Sequence, residues 1–312
     1  RQRQMCIRDR NSIVYDPDFN HVYLGVGNGA PWTRVIRSPG GGDNLFLTCI
    51  VAVDADTGEM KWYYQTVPGD NWDYTAVQDM TLADMEVDGQ QRKVIMQAPK
   101  NGFFYVIDRS NGELLRAHPY VQTNWASHVD METGRPVENK DMDYSKRAQW
   151  ILPGPLGGHD WQAMSFDEKK GVVYIPAQDF PFLYSLDSEF KATGLYKRNP
   201  GTMNLGLDLK NITFDQVKYE DEALDAKGYL KAFDPLTGEE FDGLEVTDRM
   251  PRNGIVKIFL EPRVPDFQQP WVPEAKRGGV CTGFVILMEI PVAGGSPAAR
   301  RRTRAAAAAG ED

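Results

Sequence analysis

Four times along the chain a short apolar strand runs into an Asp, and four positions after that Asp stands a Gly. The instances are Ile50-Val51-Ala52-Val53-Asp54 with Gly58, Phe104-Tyr105-Val106-Ile107-Asp108 with Gly112, Phe166-Asp167 with Gly171, and Tyr229-Leu230-Lys231-Ala232-Phe233-Asp234 with Gly238. A second strand can begin after each Gly, as in Glu59-Met60-Lys61-Trp62-Tyr63-Tyr64 or Val172-Val173-Tyr174-Ile175. Strand, turn and strand in this order make a β-hairpin, in which the Asp side chain caps the turn amides and Gly supplies the positive φ that closes it. Small sheets built from such hairpins cannot bury both faces alone, so their repetition points to sheets packed on their neighbours, as in a β-propeller. The uneven spacing requires loops of different length between modules.

Composition agrees with an all-β chain. The 312 residues include 29 Gly, 20 Pro and 11% aromatics, which suits short strands and tight turns better than a helical bundle. A net charge of −9 argues against a nucleic-acid partner, because phosphate binding needs Lys and Arg clustered on one face. The one basic cluster, Arg300, Arg301, Arg302 and Arg304, lies in an Ala-rich tail and reads as a solvated end. Cys6, Cys49 and Cys281 are far apart, which leaves neither a CxxC metal pair nor a CxxCH haem attachment and rules out a disulfide-dense scaffold. No apolar run approaches the roughly 20 residues of a membrane span, and Phe284 to Ile290 is broken by Glu289. Residues 1–10 alternate basic and polar side chains without the apolar core of a secretory signal.

Three dense motifs carry candidate chemistry: Gly27-Asn28-Gly29-Ala30-Pro31-Trp32, Pro68-Gly69-Asp70-Asn71-Trp72-Asp73-Tyr74-Thr75, and Ala98-Pro99-Lys100-Asn101-Gly102-Phe103-Phe104-Tyr105. Asn28 has an amide oxygen suited to calcium, although Gly-Asn-Gly is also a common turn. Asp73 stands between Trp72 and Tyr74, where partly dry surroundings raise a carboxylate's basicity. Lys100 sits at the entrance to an apolar strand, as a fixed cation or as a Lys snorkelling from a strand end. A fourth segment is Gly157-Gly158-His159-Asp160-Trp161. Asp70, Asp79 and Asp84 read as ordinary loop carboxylates and His159 as structural.

Taken together, these segments resemble the cofactor-site segments of the pyrroloquinoline-quinone-dependent alcohol dehydrogenases. Val51 to Gly58 followed by Trp62 is similar to the tryptophan-docking repeat of eight-bladed quinoprotein propellers, whereas the module at Asp234 continues Glu239-Glu240-Phe241 and has no Trp. The resemblance implies a partial propeller of about four to five blades, with Asn28 and Asp73 as calcium ligands, Asp73 as catalytic base, and Lys100, Trp161 and Asp160 against the quinone. The family commonly has Asn where Asp160 stands. Lanthanide-dependent relatives carry a further Asp two residues after the base, a position held here by Thr75, so calcium is the expected ion. The implied reaction oxidises a small alcohol to an aldehyde or ketone by hydride transfer to the quinone, with a separate cytochrome c-type acceptor and a periplasmic location. The family's acidic metal ligand, adjacent-cysteine disulfide and stacking Trp would precede Asn28 and have no counterpart here.

The resemblance runs from about Ser12 to about Glu240. Residues 1–11 read as a non-native leader, 12–246 as the partial propeller, and 247–312 as an atypical, disordered or frame-shifted tail. Two alternatives stand beside the alcohol dehydrogenase: a non-catalytic propeller of the same repeat serving as an envelope scaffold, and a sugar-oxidising quinoprotein. The scaffold has no need for Asn28, Asp73 and Lys100 together.

Overall fold

The computed structural model describes residues 13–201, 203–209, 227–247, 254–258 and 286–290, with side chains as far as Phe241. The leader at 1–11, Cys6, Cys281 and the arginines at 300–304 lie outside the described residues. The chain divides into two units, 1–248 and 249–312. In the second, the described residues form one antiparallel strand pair, Gly254–Ile258 with Ile286–Ile290.

The first unit is built from strands in chain order. β1 (Ile13–Asp16), β2 (His21–Gly25), β3 (Cys49–Asp54) and β4 (Met60–Gln65) form one four-stranded antiparallel sheet. β5 (Met80–Val87), β6 (Gln90–Gln97), β7 (Phe103–Asp108) and β8 (Leu114–Pro119) form the second. A hairpin of β9 (Ala126–Asp130) and β10 (Arg135–Glu138) follows, then β11 (Gln149–Ile151). The third sheet has the order β12 (Ser165–Asp167), β13 (Val172–Asp179), β15 (Lys227–Phe233), β16 (Glu240–Thr247), while β14 (Phe182–Tyr184) pairs with β11. Two short helices, α1 (Arg34–Arg37) and α2 (Ser188–Thr193), lie in the connections. Three blade-type sheets are thus complete among the described residues, in an unclosed, partial propeller. No helix there is long and apolar enough to cross a membrane.

The repeat closes its turns as the sequence requires. At Asp54, the amides of Asp56 and Thr57 donate to Oδ1 at 3.1 and 3.0 Å, and Gly58 N donates back to Asp54 O at 2.8 Å. Asp108, Asp167 and Asp234 repeat the pattern with Gly112, Gly171 and Gly238, all at positive φ. A fifth instance, Asp130 with Gly134, closes the β9–β10 hairpin. Its short strand Ala126-Ser127-His128-Val129 lacks the apolar run that marks the other four.

The middle sheet shows why the blades need one another. Along β6 and β7, Ile95, Phe103, Tyr105 and Ile107 pack towards Tyr23, Ile50, Ala52, Trp62 and Tyr64 of the first sheet. The alternating residues Val94, Met96, Phe104 and Val106 pack towards Val173, Ile175, Ala177 and Phe233 of the third. Side chains alternate along a strand, so a blade with both faces covered reads as an unbroken apolar run. β7 is buried at all six positions.

Trp62 performs the docking expected of it. Its indole Nε1 donates to Arg109 O at 3.1 Å, and its ring lies on Gly112, where a Cβ would sit 2.8 Å from Trp62 Cε3. At the next junction His118 takes the corresponding part, with Nε2 3.1 Å from Leu236 O and its ring where a Cβ on Gly238 would fall, 2.7 Å from Cγ. The Asp234 module gains a fourth strand, β16, in which Phe241 is 42% exposed.

Candidate active site

The four candidate segments leave strand ends and meet through backbone and side-chain bonds. Asn28 follows β2, whose extension is fixed by Val26 N donating to Cys49 O at 2.8 Å and Thr48 N donating to Gly27 O at 3.0 Å. Ala76 N, three residues after Asp73, donates to Val26 O at 3.1 Å, which joins the Asn28 strand end to the Asp73 loop. Asn28 is half-buried and its Nδ2 donates to Gly29 O at 3.3 Å. Among the described residues no hydrogen bond engages its Oδ1.

Asp73 occupies the left-handed region at φ 68°, a conformation that costs a residue with a Cβ about 1–2 kcal/mol. Buried aromatics flank it: Trp72 and Tyr74 are 3% and 0% exposed, and both rings pack on Trp125, with centroids 4.9 and 5.4 Å away. Asp70 is wholly buried and its Oδ1 accepts from Trp72 N and Tyr74 N, each at 3.1 Å, while Oδ2 has no hydrogen-bond partner among the described residues. Burial foremost, together with the nearby Asp73 charge and against the two amide bonds, leaves the Asp70 carboxyl pushed up to about 7. Asp70 is therefore not the ordinary loop carboxylate that the sequence suggested. Asp79 accepts from Met164 N at 3.1 Å, and Asp84 pairs with Lys93 and Arg109 at 3.0 and 2.9 Å, so both hold structure.

Lys100 is buried, with its Nζ 3.3 Å from Asp73 Oδ2 and 3.5 Å from Asp73 O. It is not a snorkelling strand-end Lys. Gly157 lies against it so closely that a Cβ there would fall 2.5 Å from Lys100 Cγ, and Gly158 N donates to Lys100 O at 3.0 Å. This is the physical need for the Gly-Gly pair. His159 bridges the same parts, its ring nitrogens 2.6 Å from Ala98 O and 2.7 Å from Gln162 O. Asp160 is buried, and Gln78 Nε2 reaches both its Oδ1 at 3.2 Å and Thr75 Oγ1 at 2.9 Å. Trp161 stands on the same loop with its side chain 46% exposed.

The structure thus brings Asp73 and Lys100 into direct contact, ties Asp160 to the Asp73 loop through Gln78, and joins the Asn28 strand end to that loop through the backbone. Three glutamines make the assembly and were missed in the sequence: Gln78; Gln97, whose Nε2 donates to Ala76 O and Gln78 O at 2.8 Å each; and Gln178, whose Nε2 donates to Leu156 O and Gly157 O at 3.1 Å each. A Gln at a strand end has no local signature, so nothing in the pattern marks them.

These residues fit a quinone bearing anionic oxygens in one definite respect. An ammonium has three donors, and among the described residues the hydrogen bonds of Lys100 Nζ go only to Asp73, both long. A buried ammonium paired so loosely has capacity for a further anionic oxygen. For calcium, the Asn28 amide and Asp73 carboxylate oxygens match in kind. The ion takes six to eight oxygens, and among the described residues no group of three His, Cys, Asp or Glu side chains is placed to hold a metal, so these residues supply only part of such a shell.

A partial propeller whose first blade is docked on the second by an indole, with an acid–ammonium pair among its strand-end loops, defines the class as a quinoprotein-type propeller. Residues 11–126 match the glucose/ethanol/alcohol dehydrogenase β-propeller domain of the PQQ family. The chain is 52% identical over 174 residues to the quinohemoprotein alcohol dehydrogenase ADH IIB of Pseudomonas putida, covering 56% of this chain and 25% of that protein. It is 45% identical over 248 residues to the dehydrogenase subunit of an alcohol dehydrogenase (quinone) of Komagataeibacter europaeus, covering 78% of this chain and 33% of the relative. The solved structure of quinohemoprotein alcohol dehydrogenase ADHIIG from Pseudomonas putida superposes with a TM-score of 0.68 at 42% identity, over 78% of this chain and 35% of that one. The chain belongs to the pyrroloquinoline-quinone-dependent alcohol dehydrogenase family, and spans about a quarter to a third of the length of the curated relatives it matches.

Proposed function

We propose that this chain forms part of the active site of a quinone-dependent alcohol dehydrogenase, with Asp73 as the base. The observation that carries the reading is the Asp73–Lys100 pair, 3.3 Å apart in largely buried surroundings. Pyrroloquinoline quinone, if held there by Lys100, Asp160 and Trp161, would supply a two-electron acceptor for the hydride of the alcohol carbon. Asp73 Oδ1 or Oδ2 removes the hydroxyl proton, and the product is an aldehyde or ketone. Lys100 holds the carboxylate in place and presents a fixed positive charge to anionic oxygens. Asp160 and Trp161 belong to the loop that would line the quinone.

Asn28 Oδ1 and Asp73 are the residues that would hold calcium, whose chemistry there is that of a Lewis acid. Thr75 is neutral and its hydroxyl is engaged by Gln78, which favours a divalent over a trivalent ion. A relative 41% identical over 211 residues is named 1-butanol dehydrogenase (cytochrome c), and we assign a separate cytochrome c-type protein as the electron acceptor and the periplasm as the location. A scaffold propeller would have no use for a buried acid–ammonium pair.

A holoenzyme containing this segment, loaded with quinone and calcium, should show a bound-cofactor absorption band and reduce an artificial acceptor when alcohol is added. Asp73→Asn should keep the band and abolish the alcohol-driven reduction. Undiminished turnover in that variant would remove Asp73 as the base, and unchanged calcium affinity in Asn28→Ala would return Asn28 to a turn residue.

A further inference from the structure

Every backbone carbonyl from Asp70 to Asp73 accepts from a side chain brought in from elsewhere. Arg37 Nη2 donates to Asp70 O. Tyr144 Oη donates to Asn71 O at 2.6 Å, Tyr184 Oη to Trp72 O at 2.7 Å, and Lys100 Nζ lies 3.5 Å from Asp73 O. The amide side is held locally, since Asp70 Oδ1 accepts from Trp72 N and Tyr74 N, the two N–H groups that bracket Asp73. Between these clamps sits Asp73, the one residue from Asp70 to Tyr74 at positive φ.

A turn with only a structural purpose does not need this construction. Asn or Ser at position 70 could cap two amides without burying a carboxyl, whereas Asp70 is 0% exposed with Oδ2 unpartnered among the described residues, an arrangement that protein interiors ordinarily avoid. Tyr144 and Tyr184 stand 73 and 112 residues from their acceptors. Both are wholly buried, and their rings stack 5.2 Å apart.

We infer that Asp70 and Tyr184 are positioning residues for Asp73: Asp70 fixes the amides on either side of it, Tyr184 fixes the carbonyl before it, and together they hold its carboxylate in the orientation in which it meets a substrate hydroxyl. This rests on the reading of Asp73 as the base. Neither residue touches substrate. Both act by denying the Asp73 backbone the relaxation out of the left-handed region that it would otherwise undergo.

The test uses the quinone-loaded holoenzyme and compares Asp70→Ala, Asp70→Asn, Tyr184→Phe and Asp73→Asn. Asp70→Ala should lower kcat about a hundredfold, the scale of a misplaced catalytic group, with KM for the alcohol little changed. Quinone binding to the apoprotein, followed by absorption, should be unchanged. Amide hydrogen exchange at Trp72 and Tyr74 should accelerate in the same variant. Asp70→Asn keeps the Oδ1 acceptor and should restore both protection and turnover to within a fewfold. Tyr184→Phe removes one hydroxyl without altering the packing and should lower kcat about tenfold. If Asp70→Ala does not fold, the other two variants still decide. Loss of turnover in Asp70→Asn as severe as in Asp73→Asn, or full kcat in Tyr184→Phe, overturns the inference. Full turnover in Asp73→Asn instead overturns the assignment of the base, which separates the two failures.

Discussion

The turn at Asp54 and the segment from Asp70 to Tyr74 each hold one residue at positive φ, by different means. In the turn the residue is Gly58, φ 72°, with open space where a Cβ would stand; the bonds to Asp54 and Gly58 come from within five positions, and Asn20 adds two bonds, its O accepting from Ala55 N and its Nδ2 donating to Asp56 Oδ2. In the loop it is Asp73, φ 68°, and besides the local bonds of Trp72 N and Tyr74 N to Asp70 Oδ1, the bonds that keep it there come from Arg37, Lys100, Tyr144 and Tyr184. Glycine adopts this conformation freely, so it needs no outside help to hold that φ. An aspartate does not, and a site that requires a carboxylate at that point must have its conformation imposed by the surrounding fold.

If that contrast is right, damage to the loop should show in chemistry and damage to the turns in stability. The largest effect is expected from Lys100→Met, which removes the ammonium held against Asp73. Steady-state kinetics of the loaded enzyme should show turnover down by about a hundredfold or more, and wild-type rates would detach Lys100 from the site.

Next in size is Trp62→Ala at the junction of the first two sheets. The indole is buried against Gly112 and gives its Nε1 proton to Arg109 O, so denaturant unfolding should report a loss of about 3–5 kcal/mol. A smaller loss would mean that the blades are held by their flat faces rather than by the docked ring.

The pH dependence separates the two regions by sign. Asp70, raised first by burial, holds its proton in the folded chain up to about pH 7, against 3.8 as its ordinary value. Its contribution to stability is therefore complete below pH 3.8 and is lost as pH rises through about 7, with a slope of at most about 1.4 kcal/mol per pH unit. Asp54 and Asp130 are lowered instead, chiefly by the amide protons of Thr57 and Glu132. They contribute above the ordinary carboxylate range, and that contribution is lost as pH falls through their lowered values. Unfolding measured from pH 4 to 7 should slope downward in the native chain and flatten in Asp70→Asn. An identical slope in both would assign the effect to other groups.

The smallest effects should come from the turn glycines. Gly58→Ala meets no neighbour and should cost about 1 kcal/mol for φ alone. Gly112→Ala adds a methyl 2.8 Å from the Trp62 ring and should cost more, as thermal melts of the two variants would reveal. Equal losses would show that the indole gives way.

The blades were legible in the sequence because their determinants are local: Asp and Gly four positions apart, and strand residues whose alternation or unbroken apolarity reports one covered face or two. Asp130 with Gly134 escaped notice because its strand is short and half polar. The Asn28, Asp73 and Lys100 motifs were visible as residue types, and the Asp160 substitution with them. What could not be read was how they are held. Arg37, Gln78, Gln97, Tyr144, Gln178 and Tyr184 carry no local pattern, and Asp70 looked like any other turn carboxylate.

By itself, then, the sequence determined the strand-turn-strand modules, the indole that docks the first blade on the second, and the set of polar groups available for chemistry, since each depends on neighbours a few positions away. Only the tertiary structure decided which of those groups meet and in what state. The left-handed backbone of Asp73, the buried ammonium 3.3 Å from its carboxylate and the raised proton affinity of Asp70 all depend on burial and on groups distant along the chain. Their physical cause is the exclusion of water where strand ends from different sheets converge, which a one-dimensional pattern does not contain.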